Sequence, residues 1–293
     1  MDIIEISHLT KNYGRSRGIA DLNLKVAEGD IFGFIGPNGA GKSTAIRILL
    51  NLIFPTSGSA SIFGLDAVRD SKKIRGRLGY VPSDANMYDR MTVMEFLRFG
   101  AAFYGAENET ARIHYLLEVF DLDPGRKIPE LSMGNKKKVS IVQAMVHKPA
   151  LLILDEPTSG LDPLIQSRFF DLLREENRSG TTVFFSSHTL SEVQAFCKTV
   201  GIVREGSMVK VEEIASLRKK QLKKVRILFP EEHRLASLEI DGAGPVESGE
   251  GRNLVFFYSG DLNQLISKLS GYRVENLSIE EPPLEEIFLH YYQ

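Results

Sequence analysis

A single cysteine, Cys197, occurs in this chain of 293 residues, so an intrachain disulfide framework is excluded and a reducing compartment suits the protein. Long apolar runs are missing as well. No window approaches the roughly 18 apolar residues of a membrane span, and the start, MDIIEISHLTKN, carries early acids where a secretory leader would be apolar. The expectation is an intracellular chain that does not itself cross a membrane. Nor does either charge dominate: 36 Lys and Arg against 38 Asp and Glu leave a net charge of −2, which excludes the overall basic field that holds nucleic acid. Any partner must be recognised locally. What the chain does have is apolar content, 43% of its residues, enough at this length to bury one large core and a small second one.

Short apolar and β-branched runs alternate with segments at helical spacing. GDIFGFIG ends in glycine and is followed by STAIRILLNLIF, after which LGYVP, ALLILDEP, TTVFFSSH and TVGIVREG read as further strands. Strands with unbroken apolar character, separated by helices, predict a mainly parallel sheet covered on both faces. Upstream, KNYGRSRGIADLNLKV ends one β-rich segment and begins another. Between GYVP and ALLILDEP the strand signal stops, and Val93, Phe96, Leu97, then Ile113, Leu116, Leu117 and Phe120 recur at helical spacing. A helical insert is expected over about residues 84–148, within a main α/β domain spanning 1–213. Residues 214–293 read as a small α+β domain. It opens on the basic LRKKQLKKVRILF, whose stretch Arg218 to Arg226 reads as a solvated linker, with contact to lipid headgroups as the alternative, and continues with strand-like RNLVFFY, helix-like DLNQLISKLSG, strand-like YRVENLSIE and helix-like PPLEEIFLHYY.

The most specific chemical signal is GPNGAGKST, comprising Gly36, Pro37, Asn38, Gly39, Ala40, Gly41, Lys42, Ser43 and Thr44, between a strand and a helix. Its glycines let successive backbone N–H groups close around phosphate oxygens, Lys42 reaches the terminal phosphates, and Ser43 offers a hydroxyl to Mg²⁺. In LLILDEP a buried strand delivers Asp155 and Glu156 to its carboxyl end, where open α/β sheets bind ligands. Asp155 suits the metal's water shell, and Glu156 an attacking water. LSMGNKKKVS raises a different question, because Lys136, Lys137 and Lys138 stand in the first turn of a helix whose dipole already carries positive charge there. An anion docking at that end would relieve the conflict.

In this order the motifs resemble the nucleotide-binding subunit of ATP-binding-cassette (ABC) transporters over about residues 3–213. The tail is similar to single-domain subunits of the drug-resistance and sodium-export types. The resemblance implies a P-loop NTPase core, mainly parallel with an antiparallel β edge subdomain, and an ATPase that uses ATP and Mg²⁺. It implies that Tyr13 stacks on adenine, that Ser132 and Gly134 of LSMGN cover the γ-phosphate held by a second, head-to-tail subunit, and that Asp162 of SGLDP acts across that dimer. The anion awaited by the three lysines would then be ATP bound in trans. His188 of FFSSH matches the histidine that contacts the γ-phosphate and the attacking water, with Glu156 and Lys42 as the other catalytic groups. A separate membrane permease is the implied partner, with the chain peripheral on the cytoplasmic face and export the implied direction; the cargo is not specified. One position departs from the pattern: Ser83 of GYVPS stands where the family carries a metal-touching glutamine, so either a water bridges Ser83 to the metal, or Asp84 substitutes, or that contact is lost. Soluble cassette ATPases, such as iron-sulfur assembly, ribosome or DNA types, and a module that holds ATP without turnover are the alternative readings.

Overall fold

The computed structural model describes residues 1–14, 16–84, 87, 90–105, 109–219, 223–230, 241–248 and 252–281. The chain divides into two units, Met1–Ile214 and Ala215–Gln293.

The first unit contains two sheets. In one, β1 (Asp2–Tyr13) pairs antiparallel with β2 (Ser16–Ala27) and with β4 (Ser57–Ile62), and β5 (Leu65–Asp66) completes the order β2-β1-β4-β5. Ile4, Ile6, Leu9, Leu22, Leu24 and Val26 of this sheet are buried with Ile46 and Leu49 of the first helix, α1 (Lys42–Leu49). In the other, the order is β10 (Ser207–Glu213), β9 (Thr199–Arg204), β3 (Ile31–Ile35), β8 (Thr182–Ser187), β7 (Leu151–Asp155), β6 (Leu78–Val81). Every neighbour from β9 to β6 is parallel, and β10 returns antiparallel on β9. Every residue of β3, β7 and β8 is buried, which is why their apolar residues follow one another without alternation. Besides α1, helices α2 (Ser71–Arg75), α6 (Pro163–Arg178) and α7 (Leu190–Phe196) connect the strands.

The expected helical insert contains α3 (Val93–Ala102), α4 (Glu109–Val119), a 3-10 turn at Ile128–Glu130 and α5 (Met133–Met145). A capping box starts α3: the Thr92 hydroxyl accepts from the Glu95 N–H while the Glu95 carboxylate accepts from the Thr92 N–H. Helix α5 lies close on β6; a Cβ at Gly79 would fall 2.2 Å from the Ala144 carbonyl oxygen. The buried Arg112–Glu176 ion pair joins α4 to α6.

Helix α8 (Ile214–Lys219) contains the division between the units. In the second unit β11 (Lys223–Leu228), β12 (Ala243–Ser248), β13 (Asn253–Tyr258) and β14 (Asn276–Glu280) form an antiparallel sheet ordered β12-β13-β11-β14, with α9 (Leu262–Leu269) before β14. Val225, Ile227, Phe256, Tyr258, Leu265 and Leu269 belong to its core. This corrects the linker reading of the basic stretch. Its second half is β11, an interior strand that buries Val225 and Ile227 and turns Arg226 outward. The segment PPLEEIFLHYY lies outside the described residues. Among the described residues, no helix is long and apolar enough to cross a membrane.

Candidate functional site

Strand β3 runs into the phosphate-loop sequence, and the loop's glycines are placed by close packing and by backbone sign. A Cβ at Gly36 would sit 2.2 Å from the Val203 carbonyl oxygen, and Gly41, the N-cap of α1, has φ 102 with the Gly18 carbonyl oxygen 2.7 Å from the site of a Cβ. The turn is closed from Ala40, whose N–H donates to the Pro37 carbonyl at 3.1 Å and whose carbonyl accepts from the Gly206 N–H at 3.0 Å. Pro37, Asn38 and Gly39 remain exposed. No side chain caps α1 and no acid lies in its first turn, so the N–H groups there face the loop without a competing carboxylate. Ser43 and Thr44 are part-exposed in that turn.

Lys42 is buried, and its Nζ donates to the carbonyl oxygens of Gly36 at 2.6 Å and Pro37 at 3.3 Å. Burial lowers its ammonium below the ordinary lysine value, opposed by attraction from Glu156 and Asp155. The two carboxylates occupy the carboxyl end of β7, as the sequence predicts for that strand. Asp155 is 1% exposed and accepts a 2.9 Å hydrogen bond from the Ser186 hydroxyl of β8. Glu156 follows at φ 48, a left-handed conformation held by donation of its N–H to the Ser186 carbonyl at 3.1 Å. That turn sends its carboxylate between two partners: Oε1 lies 3.7 Å from Lys42 Nζ, and Oε2 3.2 Å from Nδ1 of His188, which stands half-exposed just beyond β8. Lys42, Glu156 and His188 therefore form one cluster, with Asp155 attached through Ser186. Ser186 was not singled out from the sequence. A polar residue inside the apolar run TVFFSS was its signal.

A second cluster gathers the other predicted residues at the starts of α5 and α6. The Ser132 hydroxyl caps α5 by accepting from the Asn135 N–H at 3.2 Å, and Asp162 caps α6 by accepting from the Ile165 N–H at 3.0 Å. A Cβ at Gly134 would lie 2.7 Å from the Gly160 carbonyl oxygen, so the two segments touch. Of the three lysines, Lys137 does not wait for an anion at the helix end. It is 4% exposed and its Nζ donates to the carbonyl oxygens of Pro82 at 2.7 Å and Ser83 at 3.0 Å. Tyr13 stands apart from both clusters in contact terms: it is exposed at the end of β1, with Lys11 Nζ 5.4 Å from its ring centre.

Among the described residues, no group of three or more His, Cys, Asp or Glu could hold a metal ion. The donors that are present, one buried carboxylate at Asp155 and one hydroxyl at Ser43, fit Mg²⁺, which binds through one or two protein oxygens and completes its octahedron with phosphate oxygens and water.

The family model for ABC transporters matches residues 19–159. The bacitracin transport ATP-binding protein of Bacillus licheniformis is 35% identical to this chain over 98% of its length and 96% of the relative's. The Nod factor export ATP-binding protein I of Rhizobium meliloti is 33% identical over 98% of this chain and 87% of the relative. A dimeric structure of a bacterial ABC transporter cassette superposes with a TM-score of 0.67 at 25% identity, covering 72% of this chain and 98% of the other.

Proposed function

Because the chain belongs to the ATP-binding proteins of ABC transporters, we propose that it binds and hydrolyses ATP as one of two head-to-tail cassettes that drive export through a separate membrane permease. The observation that carries the catalytic part is the position of the Glu156 carboxylate, between the Lys42 ammonium and the His188 imidazole at the mouth of the phosphate loop. The transport part is supported by relatives matched along nearly the whole chain, which are named for bacitracin transport and Nod factor export. The pair is supported by the dimeric cassette of the same fold.

In this reading the N–H groups of Gly39 and of Gly41 to Thr44 bind phosphate oxygens, and Lys42 exchanges the Gly36 and Pro37 carbonyls for the terminal phosphates. Glu156, fixed by its left-handed backbone, accepts a hydrogen bond from the attacking water and takes its proton, while His188 donates to the γ-phosphate. Ser43 and Asp155 would hold Mg²⁺, which when bound would neutralise charge on the phosphate oxygens. Tyr13 stacks on the base. Ser132 and Gly134 of the second subunit cover the γ-phosphate, so two nucleotides lie between two chains, and loss of that phosphate releases them. The chain then sits peripherally at the cytoplasmic face, against its permease.

Glu156→Gln keeps the size of the side chain and removes the base. It is expected to accumulate an ATP-bound dimer on size-exclusion chromatography, and adding Ser132→Arg is expected to return it to monomer. A Glu156→Gln protein that hydrolyses ATP at the wild-type rate would refute the catalytic assignment.

A further inference from the structure

The loop after β6 carries Ser83, and α5 of the helical insert is connected to it at this point. Lys137 projects from α5 into the loop after β6 and donates to two consecutive backbone carbonyls, Pro82 and Ser83. Its ammonium is among the most buried charges of the described residues and is attracted by Asp155, Asp84 and Glu156, so it lies within electrostatic reach of the carboxylates at the end of β7. Five residues earlier on the same helix stands Ser132, and between them Gly134 rests against Gly160, two residues before Asp162. One rigid helix start therefore touches three segments: the loop carrying Ser83, the loop leading to Asp162, and the surface that would meet the partner's nucleotide.

We infer that Lys137 is a positioning residue for the reaction: it ties the Ser83 loop to α5, so that engagement of a γ-phosphate by Ser132 in one site sets the position of the Ser83 loop in the same chain's own site. This coupling rests on the proposed head-to-tail pairing for its consequence, though the tie itself exists without nucleotide. The physical reason is that α5 is a rod, and its Lys137 holds two consecutive carbonyls of the loop. Movement of the helix start by a fraction of an ångström must be followed by the loop as long as two charge-assisted hydrogen bonds hold it.

The test replaces Lys137 with Met, which has similar length and no donor, in the full chain. Without nucleotide, amide hydrogen exchange in residues 78–84 is expected to quicken by about tenfold or more, the consequence of losing two charge-assisted bonds. Unchanged exchange there overturns the tie. With ATP in the Glu156→Gln background, protection of residues 36–44 is expected with either residue at 137, whereas nucleotide-dependent protection of 78–84 is expected only with Lys137. Equal protection of 78–84 in both overturns the coupling. Absence of protection at 36–44 in the protein that keeps Lys137 points instead to failure of the ATP-site assignment, and the nucleotide-free exchange still decides the tie. In steady state Lys137→Met is expected to lower kcat about tenfold at unchanged KM for ATP, with Lys137→Gln, which retains an N–H donor, recovering most of it. A loss of kcat that tracks a loss of folded protein and is not recovered by Gln overturns the positioning role. Should the Met variant not fold, the Gln variant carries the same exchange comparison, with an intermediate quickening expected.

Discussion

Lys42→Ala removes the ammonium that the phosphate loop holds against its own backbone, and the structure sets two separate magnitudes for the loss. For nucleotide binding, two charge-assisted hydrogen bonds to phosphate at about 1.5–3 kcal/mol each amount to roughly 3–6 kcal/mol, or a Kd weakened about 10²- to 10⁴-fold. For folding the effect is small, because the lysine is held at a desolvation cost that outweighs the pull of Glu156 and Asp155, and its two carbonyl partners lie at a loop whose Pro37, Asn38 and Gly39 are open to water. Water can take over the Pro37 carbonyl directly and the buried Gly36 carbonyl through the space that the side chain vacates. Stability should change by no more than about 1 kcal/mol, a Tm shift of roughly 2–4 °C for a unit of this size. The assay is a fluorescent-nucleotide titration run beside a thermal melt on the same preparations. A Kd within about threefold of wild type, under 1 kcal/mol, in a protein with unchanged Tm would show that phosphate binds elsewhere. A fall of Tm well beyond that range with binding retained would make Lys42 a structural residue.

Arg112→Met leaves Glu176 buried without its cation between α4 and α6, where the two side chains are 15% and 10% exposed. The cost should be about 3–5 kcal/mol, or roughly 6–20 °C in Tm, and the double change Arg112→Met with Glu176→Met should recover much of it; melts in which the single and double variants coincide would remove the ion pair from consideration. His147 gives a pH dependence. Its ring is stacked on Tyr104 at 3.6 Å, and burial lowers its pKa below the ordinary 6.5 despite the 3.2 Å contact with the Leu78 carbonyl. The unfolded chain therefore takes up its proton first as pH falls, so stability present above that ordinary value is lost progressively below it until the folded ring also protonates. Melts from about pH 7.5 to about pH 5 should show this decline, and His147→Phe, which keeps the ring stack, should flatten it; identical slopes would count against the assignment.

The parts of the molecule that were legible in advance share a physical cause. Strands buried on both faces leave unbroken apolar runs, so β3, β7 and β8 could be recognised, and the acids at the end of β7 followed from the direction of a parallel strand. The phosphate loop was readable because its glycines answer local backbone demands, a positive φ at Gly41 and close approach at Gly36. Lys137 was misread because charge alone gives no direction: helical spacing turns it inward while Lys136 and Lys138, one residue to either side, stay part-exposed. The strand β11 was missed because three of its six residues, Lys223, Lys224 and Arg226, hide the alternation at Val225 and Ile227 under a basic composition. The αL turn at Glu156 has no sequence signal, since a glutamate there is held by the Ser186 carbonyl of a different strand.

Strand order in the C-terminal sheet has a consequence for the time course of synthesis. The partners of β11 are β13 and β14, both of which lie downstream of it, with α9 between them in the chain. While the polypeptide is being made, β11 must leave the ribosome with both edges bare, and its second edge is closed only when the residues to Glu280 have emerged. The strands of the ATP-binding unit are all synthesised before that moment. Domains that fold as they emerge would thus produce a nascent chain whose cassette is already built while a strand with Val225 and Ile227 on one face waits uncovered. Lys224 and Arg226, which alternate with Val225 and Ile227 along that strand, are the kind of charge that keeps an unpaired edge from joining another chain.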